Sequence, residues 1–135
     1  MIEYTDRLDG VAPRHLKGFF VGWPNAPSPE RHLALLRCSV AVGLARESED
    51  GRIVGFVTAV GDGVLSAYIP LLEVLPDYQG RGIGSELVRR LLAALDGTYM
   101  IDICCDADLE PFYRRLGFQT LDRGMGIRNY EAAAG

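Results

Sequence analysis

The sequence predicts an α+β domain: a mixed, mostly antiparallel central sheet with helices packed on both faces. Three observations lead there. Read along the chain, the elements run strand, helices, three strands, helix, strand, helix, strands, which is not the alternation of a doubly wound fold. Two period-two runs, 40–46 and 53–60, flank Glu49-Asp50-Gly51-Arg52, the signature of an antiparallel hairpin. A single long amphipathic run follows at 82–95.

Residues 2–7 read as a short first strand, and Pro13 to Phe20 as a helical turn or two. Gly22-Trp23-Pro24-Asn25-Ala26-Pro27 is a loop, since its prolines and glycine break both regular structures. Ser28-Pro29-Glu30 opens a helix, with serine as cap, proline at the first position and an acid in the first turn. That helix is expected to run to Cys38. The hairpin comes next, then a turn at Gly61-Asp62-Gly63 and a long apolar run from Leu65 to Leu75. Pro70 inside that run marks an irregularity, because proline donates no ladder bond.

In the helix from Gly82 to Leu95, Ile83, Leu87, Val88, Leu91, Leu92 and Leu95 form one face, and Glu86, Arg89 and Arg90 point away. Tyr99 to Cys104 is a further strand. Asp108 is placed to cap a short helix over 109–116, and Gly117 to end it in a left-handed conformation. Weak strands are expected around 118–121 and 124–130, the latter able to pair two copies into a homodimer.

The 135 residues fit one domain, 1–135, large enough to bury a core. Hydrophobic residues make up 48% and charged residues 24%, an ordinary globular balance. No apolar run approaches the roughly 18 residues that span a bilayer. Met1 to Asp6 show no basic or apolar leader pattern, so a cytoplasmic location without membrane contact is expected. A net charge of −4 argues against nucleic acid as a partner. The three cysteines, Cys38, Cys104 and Cys105, form no disulfide framework and no zinc spacing. They read as reduced, mostly buried thiols, and no metal is expected.

The chemistry lies in Leu71-Leu72-Glu73-Val74-Leu75-Pro76-Asp77-Tyr78-Gln79-Gly80-Arg81-Gly82-Ile83-Gly84. A strand runs into a loop with glycines at alternate positions, and a long helix starts there. Such glycines let backbone approach an anion, while the first helical turn offers free N–H groups and the positive end of the dipole. Arg81 adds a charge-assisted contact. The Gly-Lys-Ser/Thr of a nucleotide P-loop is absent, and Gly80-Arg81-Gly82-Ile83-Gly84-Ser85 lacks the last glycine of the dinucleotide fingerprint.

Gln79-Gly80-Arg81-Gly82-Ile83-Gly84 resembles the Gln/Arg-x-x-Gly-x-Gly/Ala signature of the GNAT superfamily of N-acetyltransferases. About 30 residues on, Pro111-Phe112-Tyr113-Arg114-Arg115-Leu116-Gly117-Phe118 is similar to its second hallmark, Phe-Tyr-x-x-x-Gly-Phe. The resemblance covers 69–118. It implies transfer of acetyl from acetyl-CoA directly to a primary amine on a small molecule or peptide. The backbone amides of Arg81, Gly82, Ile83, Gly84 and Ser85 would hold the pyrophosphate, with Gln79 and Gly80 opening the cofactor-binding motif, and the main chain of Leu72 to Val74 would hold the pantetheine arm, like an added strand. Tyr113 would sit near the thioester sulfur as general acid. The proton acceptor is open between Glu73, Tyr68 and a water relay. Trp23 and His32, the latter titrating near neutrality, are candidates to line the acceptor pocket. A non-catalytic acyl-CoA-binding module and a mononucleotide-binding domain are the competing readings.

Overall fold

The computed structural model describes residues 1–135. Six strands form one sheet: β1 (Ile2–Thr5), β2 (Ala41–Glu47), β3 (Ile53–Gly61), β4 (Ser66–Ile69), β5 (Leu72–Val74) and β6 (Met100–Ile103). The helices are α1 (Pro29–Cys38), α2 (Ile83–Ala94) and α3 (Glu110–Arg115). The strand order is β1-β2-β3-β4-β6, with β5 also on β3. All pairings are antiparallel except β4 with β6.

The expected hairpin forms as β2 and β3, with Gly51 at φ 74° in its turn. Ser28 caps α1 by accepting the Arg31 N–H at 3.1 Å. Asp62 fastens the turn into β4, its carboxylate accepting the N–H groups of Val64, Leu65 and Ser66. Those three bonds push the Asp62 carboxyl down to about 2.

The core lies between β2, β3 and their flanking helices: Leu44, Ile53, Val54, Phe56, Val57 and Leu87 are fully buried. Successive β3 residues serve opposite layers. Phe56 meets Phe19, Phe20 and His32 on the α1 side. Gly55 faces α2, where an added Cβ would lie 3.1 Å from Leu87 and 3.2 Å from Ile83. The α2 face is the one expected, with Ile83, Leu87, Val88, Leu91 and Leu95 buried and Arg89 and Arg90 exposed beside Glu86.

Four expectations are corrected. The run Leu65 to Leu75 is two strands broken at Pro70 and Leu71, not one. Asp108 caps nothing: it lies inside a 3-10 turn, Ala107–Leu109, that leads into α3 without a side-chain cap. All three cysteines are exposed, because Cys38 ends α1 on its outer side and Cys104-Cys105 follow the last residue of β6. Residues 118–129 contain no strand, and the chain closes with a 3-10 turn, Tyr130–Ala134, held to Arg31 through the Ala132 and Ala133 carbonyls.

Candidate functional site

The break at Pro70 opens the sheet. β4 runs parallel with β6 as far as Ile69 opposite Ile103. Beyond that point β5 stays on β3, while the chain after β6 turns away toward α3. The Thr58 N–H donates to the Leu71 carbonyl at 3.0 Å, and the Leu75 N–H to the Val54 carbonyl at 2.8 Å. Odd-numbered residues of this run thus face β3. By the alternation of an antiparallel ladder, the polar groups of Leu72 and Val74 face the free edge. The Val74 carbonyl there accepts Gln79 Nε2 at 3.0 Å, so Gln79 ties the glycine loop to the strand.

The loop itself is built on two left-handed residues, Gly80 at φ 78° and Gly82 at φ 80°, a conformation that a side chain disfavours. Gly82 is the cap residue of α2, and its carbonyl receives the first helical bond, from Glu86, at 3.1 Å. No protein acceptor takes the N–H of Gly80, Arg81, Gly82, Ile83, Gly84 or Ser85. Six consecutive donors stand at the positive end of a 12-residue helix, an arrangement that fits a phosphate or pyrophosphate. Arg81 bends back, donating to the Asp77 carbonyl at 3.0 Å with its guanidinium 5.0 Å over the Tyr78 ring. Gly84 packs toward α3, where an added Cβ would meet the Phe112 ring at an ordinary contact distance of 3.6 Å.

Tyr113 is buried on α3 between the rings of Phe112 and Phe118, at 4.9 and 5.6 Å. Its turn is locked by the Gly117 N–H on the Arg114 carbonyl and the Phe118 N–H on the Tyr113 carbonyl, with Gly117 at φ 99°. Burial, with the Cys105 thiol adding to it, pushes the Tyr113 phenol up to about 12. With its phenol raised by burial, Tyr113 keeps its proton at neutral pH. Tyr68 lies on β4, opposite Asp102 of β6. The neighbouring Cys104 thiol and partial burial raise its phenol as well, which suits a donor and not a proton acceptor.

On the α1 side a pocket of about 440 Å³ opens along β5. Its walls include Phe20, Trp23, Phe56, Leu72, Glu73 and Gln79. Trp23 packs edge-on to Phe20 at 5.1 Å and remains half exposed. Glu73 does not face open solvent: its carboxylate accepts the N–H of Phe20 at 2.7 Å and of Val21 at 3.3 Å. His32 is a correction. It does not line the pocket but lies behind it, 1% exposed, among Phe19, Phe20 and Phe56. Neither ring nitrogen has a partner, and burial pushes the imidazole down to about 4 instead of leaving it near neutrality. Phe20, Val21 and Phe56 are pocket residues that the sequence did not single out. The available signal was Gly18-Phe19-Phe20-Val21-Gly22, an aromatic run too short and too glycine-bounded for a core helix. No group of three or more His, Cys, Asp or Glu side chains is placed to hold a metal ion. No helix is long and apolar enough to cross a membrane.

Residues 41–120 match the family model of the acetyltransferase (GNAT) domain. An uncharacterised N-acetyltransferase of Porphyra purpurea, ycf52, is 32% identical over 73% of the chain, which spans 58% of that relative's length. Serotonin N-acetyltransferase 2, chloroplastic, of Oryza sativa subsp. japonica is 38% identical over 73% of the chain and is spanned over 50% of its length. A solved structure from Deinococcus radiodurans R1, itself assigned only provisionally as an acetyltransferase, superposes with a TM-score of 0.95 at 46% identity. That match covers 99% of this chain and 92% of the other. The chain belongs to the GNAT acetyltransferase family, and its α+β fold, with a mostly antiparallel sheet, is the fold of that structure.

Proposed function

We propose that this GNAT-family domain binds acetyl-CoA and transfers its acetyl group to a primary amine, without a covalent enzyme intermediate. The observation that carries this reading is the row of six unpaired N–H groups, Gly80 to Ser85, beside the free edge of β5. The loop donors would hold the pyrophosphate, and Leu72 and Val74 the pantetheine amides, with Gln79 yielding or bridging at the Val74 carbonyl. The acetyl thioester supplies the acyl group. The chain's own part is to hold amine and thioester together, which lowers the entropic part of the barrier.

In the transfer the amine nitrogen bonds the acetyl carbon and the carbon–sulfur bond breaks. Tyr113 gives its proton to the departing sulfur, and its raised phenol keeps that proton available at neutral pH. The amine's own proton leaves to water at the mouth of the pocket, and water returns a proton to the Tyr113 oxygen before the next turnover. A cytoplasmic location belongs to the same reading.

Thermal unfolding with acetyl-CoA tests it. A ligand at about 100 times its dissociation constant stabilises by roughly 2.7 kcal/mol, a rise of several degrees in Tm for a domain of this size. CoA is expected to give a similar shift, and ATP or NAD none. No shift with millimolar acetyl-CoA would remove the reading.

A further inference from the structure

A second cavity, of about 380 Å³, lies between the Pro13–His15 turn and the β2–β3 hairpin turn. Arg14, His15, Lys17, Asp50 and Arg52 line it, and no apolar side chain does. Acids outnumber cations in this chain, 18 to 14, yet Arg14, Lys17 and Arg52 enter no ion pair. Three cations without protein partners therefore share one concavity, and their summed field favours an anion there.

The other two lining residues are set by the backbone. His15 Nδ1 accepts the Ala12 N–H at 3.1 Å, which leaves Nε2 as the N–H donor. Nε2 faces the hairpin turn, 3.8 Å from where a Cβ on Gly51 would stand. Asp50, the one acid, accepts the Arg52 N–H on Oδ1 at 2.9 Å. A single carboxylate tied into its own turn does not neutralise three cations.

Both walls of the cavity meet the entry to the glycine loop at Leu75. Gly18, next to Lys17, would place a Cβ 3.6 Å from the Leu75 side chain. Val54, just beyond Arg52, accepts the Leu75 N–H on its carbonyl at 2.8 Å. Leu75 leads directly into the Pro76–Tyr78 turn, over which Arg81 folds back.

We propose that this cavity is a second phosphate site, distinct from the loop's row of N–H groups and built for a phosphate monoester. Such a group carries close to two negative charges at neutral pH, and its terminal oxygens meet guanidinium, ammonium and imidazole donors from separate directions. Two sources share this chemistry. One is the 3′-phosphate of the cofactor held at the loop, which rests on the acetyltransferase reading above. The other is a free phosphorylated small molecule, which does not.

Calorimetry on the full chain tests both. Wild type is titrated with CoA, 3′-dephospho-CoA, inorganic phosphate, and succinate as a carboxylate control. The comparison is a triple variant, Arg14→Gln with Lys17→Gln and Arg52→Gln, in which all three replaced side chains are exposed, so the fold should persist. With the cofactor as source, wild type binds CoA at least ~10-fold more tightly than dephospho-CoA, roughly what three exposed charge contacts supply together. The variant then binds both forms alike, at the wild-type affinity for dephospho-CoA. With a free ligand as source, wild type binds the two forms alike, phosphate binds alongside saturating dephospho-CoA, and the variant loses phosphate alone.

Equal binding of the two CoA forms with no phosphate binding would overturn the site. So would a preference for CoA that survives in the triple variant, or succinate bound as tightly as phosphate. Should the triple variant not fold, Arg52→Gln alone must reduce the preference for CoA, or the phosphate affinity, by ~3-fold, the scale of one exposed charge contact, and no change refutes the site. If neither CoA form binds, the acetyltransferase reading has failed, and the phosphate titration of wild type against variant still decides the cavity.

Discussion

The two sides of the candidate site are made in different ways. On the proposed reading the donor side, from β5 through the glycine loop into α2, is one continuous stretch, 72–94, and its working groups are main-chain N–H and C=O. The acceptor side assembles Phe20 and Trp23 from a loop, Phe56 from β3 and Glu73 from β5, through side chains meeting across half the chain. A site of backbone groups tolerates side-chain change but depends on φ angles. A site of packed side chains depends on each tertiary contact. Damage to the donor side should therefore appear as lost cofactor binding in a stable protein, and damage to the acceptor side as lost stability or acceptor affinity.

The largest expected effect is on the acceptor side and follows from His32. Its imidazole is neutral in the folded protein, pushed down from 6.5 to about 4 by burial. The unfolded chain takes up a proton near 6.5, so between these values it binds more protons than the folded state. The stabilisation is whole above about pH 6.5 and is lost as pH falls toward 4, on the order of 3 kcal/mol. Chemical denaturation at a series of pH values should show that slope. His32→Leu should flatten it, and the slope surviving in the variant would mean that other groups cause it.

Tyr113→Phe probes the transfer between the two sides. Acetyl-CoA should still stabilise the variant, while kcat falls by roughly 100-fold, the lower range for a general acid. An unchanged rate would place the proton donor elsewhere, and no rate in wild type would favour an acyl-CoA-binding module. The smallest effect is at the loop. Gly82→Ala meets no atom within 4 Å, so its cost is the left-handed backbone alone, about 1 kcal/mol. Calorimetry should find weaker acetyl-CoA binding with the acceptor pocket intact. Unaltered affinity would uncouple the loop conformation from the cofactor.

What could be read in advance follows this same division. The hairpin at Asp50-Gly51, the Ser28 cap, the apolar face of α2 and the left-handed Gly117 all appear where local rules put them. Each depends on residues within a turn or two. The misread elements depend on partners far away. His32 read as a pocket-lining residue titrating near neutrality, and it is instead closed over by Phe19, Phe20 and Phe56. Segment 118–129 has strand-like composition, but no strand pairing forms there, and the closing turn beyond it is held to Arg31 instead. The Leu65–Leu75 run showed its irregularity at Pro70, yet not that the halves would take different partners, β6 for one and a free edge for the other.

The sequence by itself determined the α+β class, the order of its principal helices and strands, and the place of the glycine loop ahead of α2, because these rest on periodicity, capping and glycine content encoded within a few residues. Only the tertiary structure decided the parting of β4 from β5, the burial of His32 and the tie from Glu73 to the backbone of Phe20. Those features come from packing and hydrogen bonds between segments that the chain's order does not bring together.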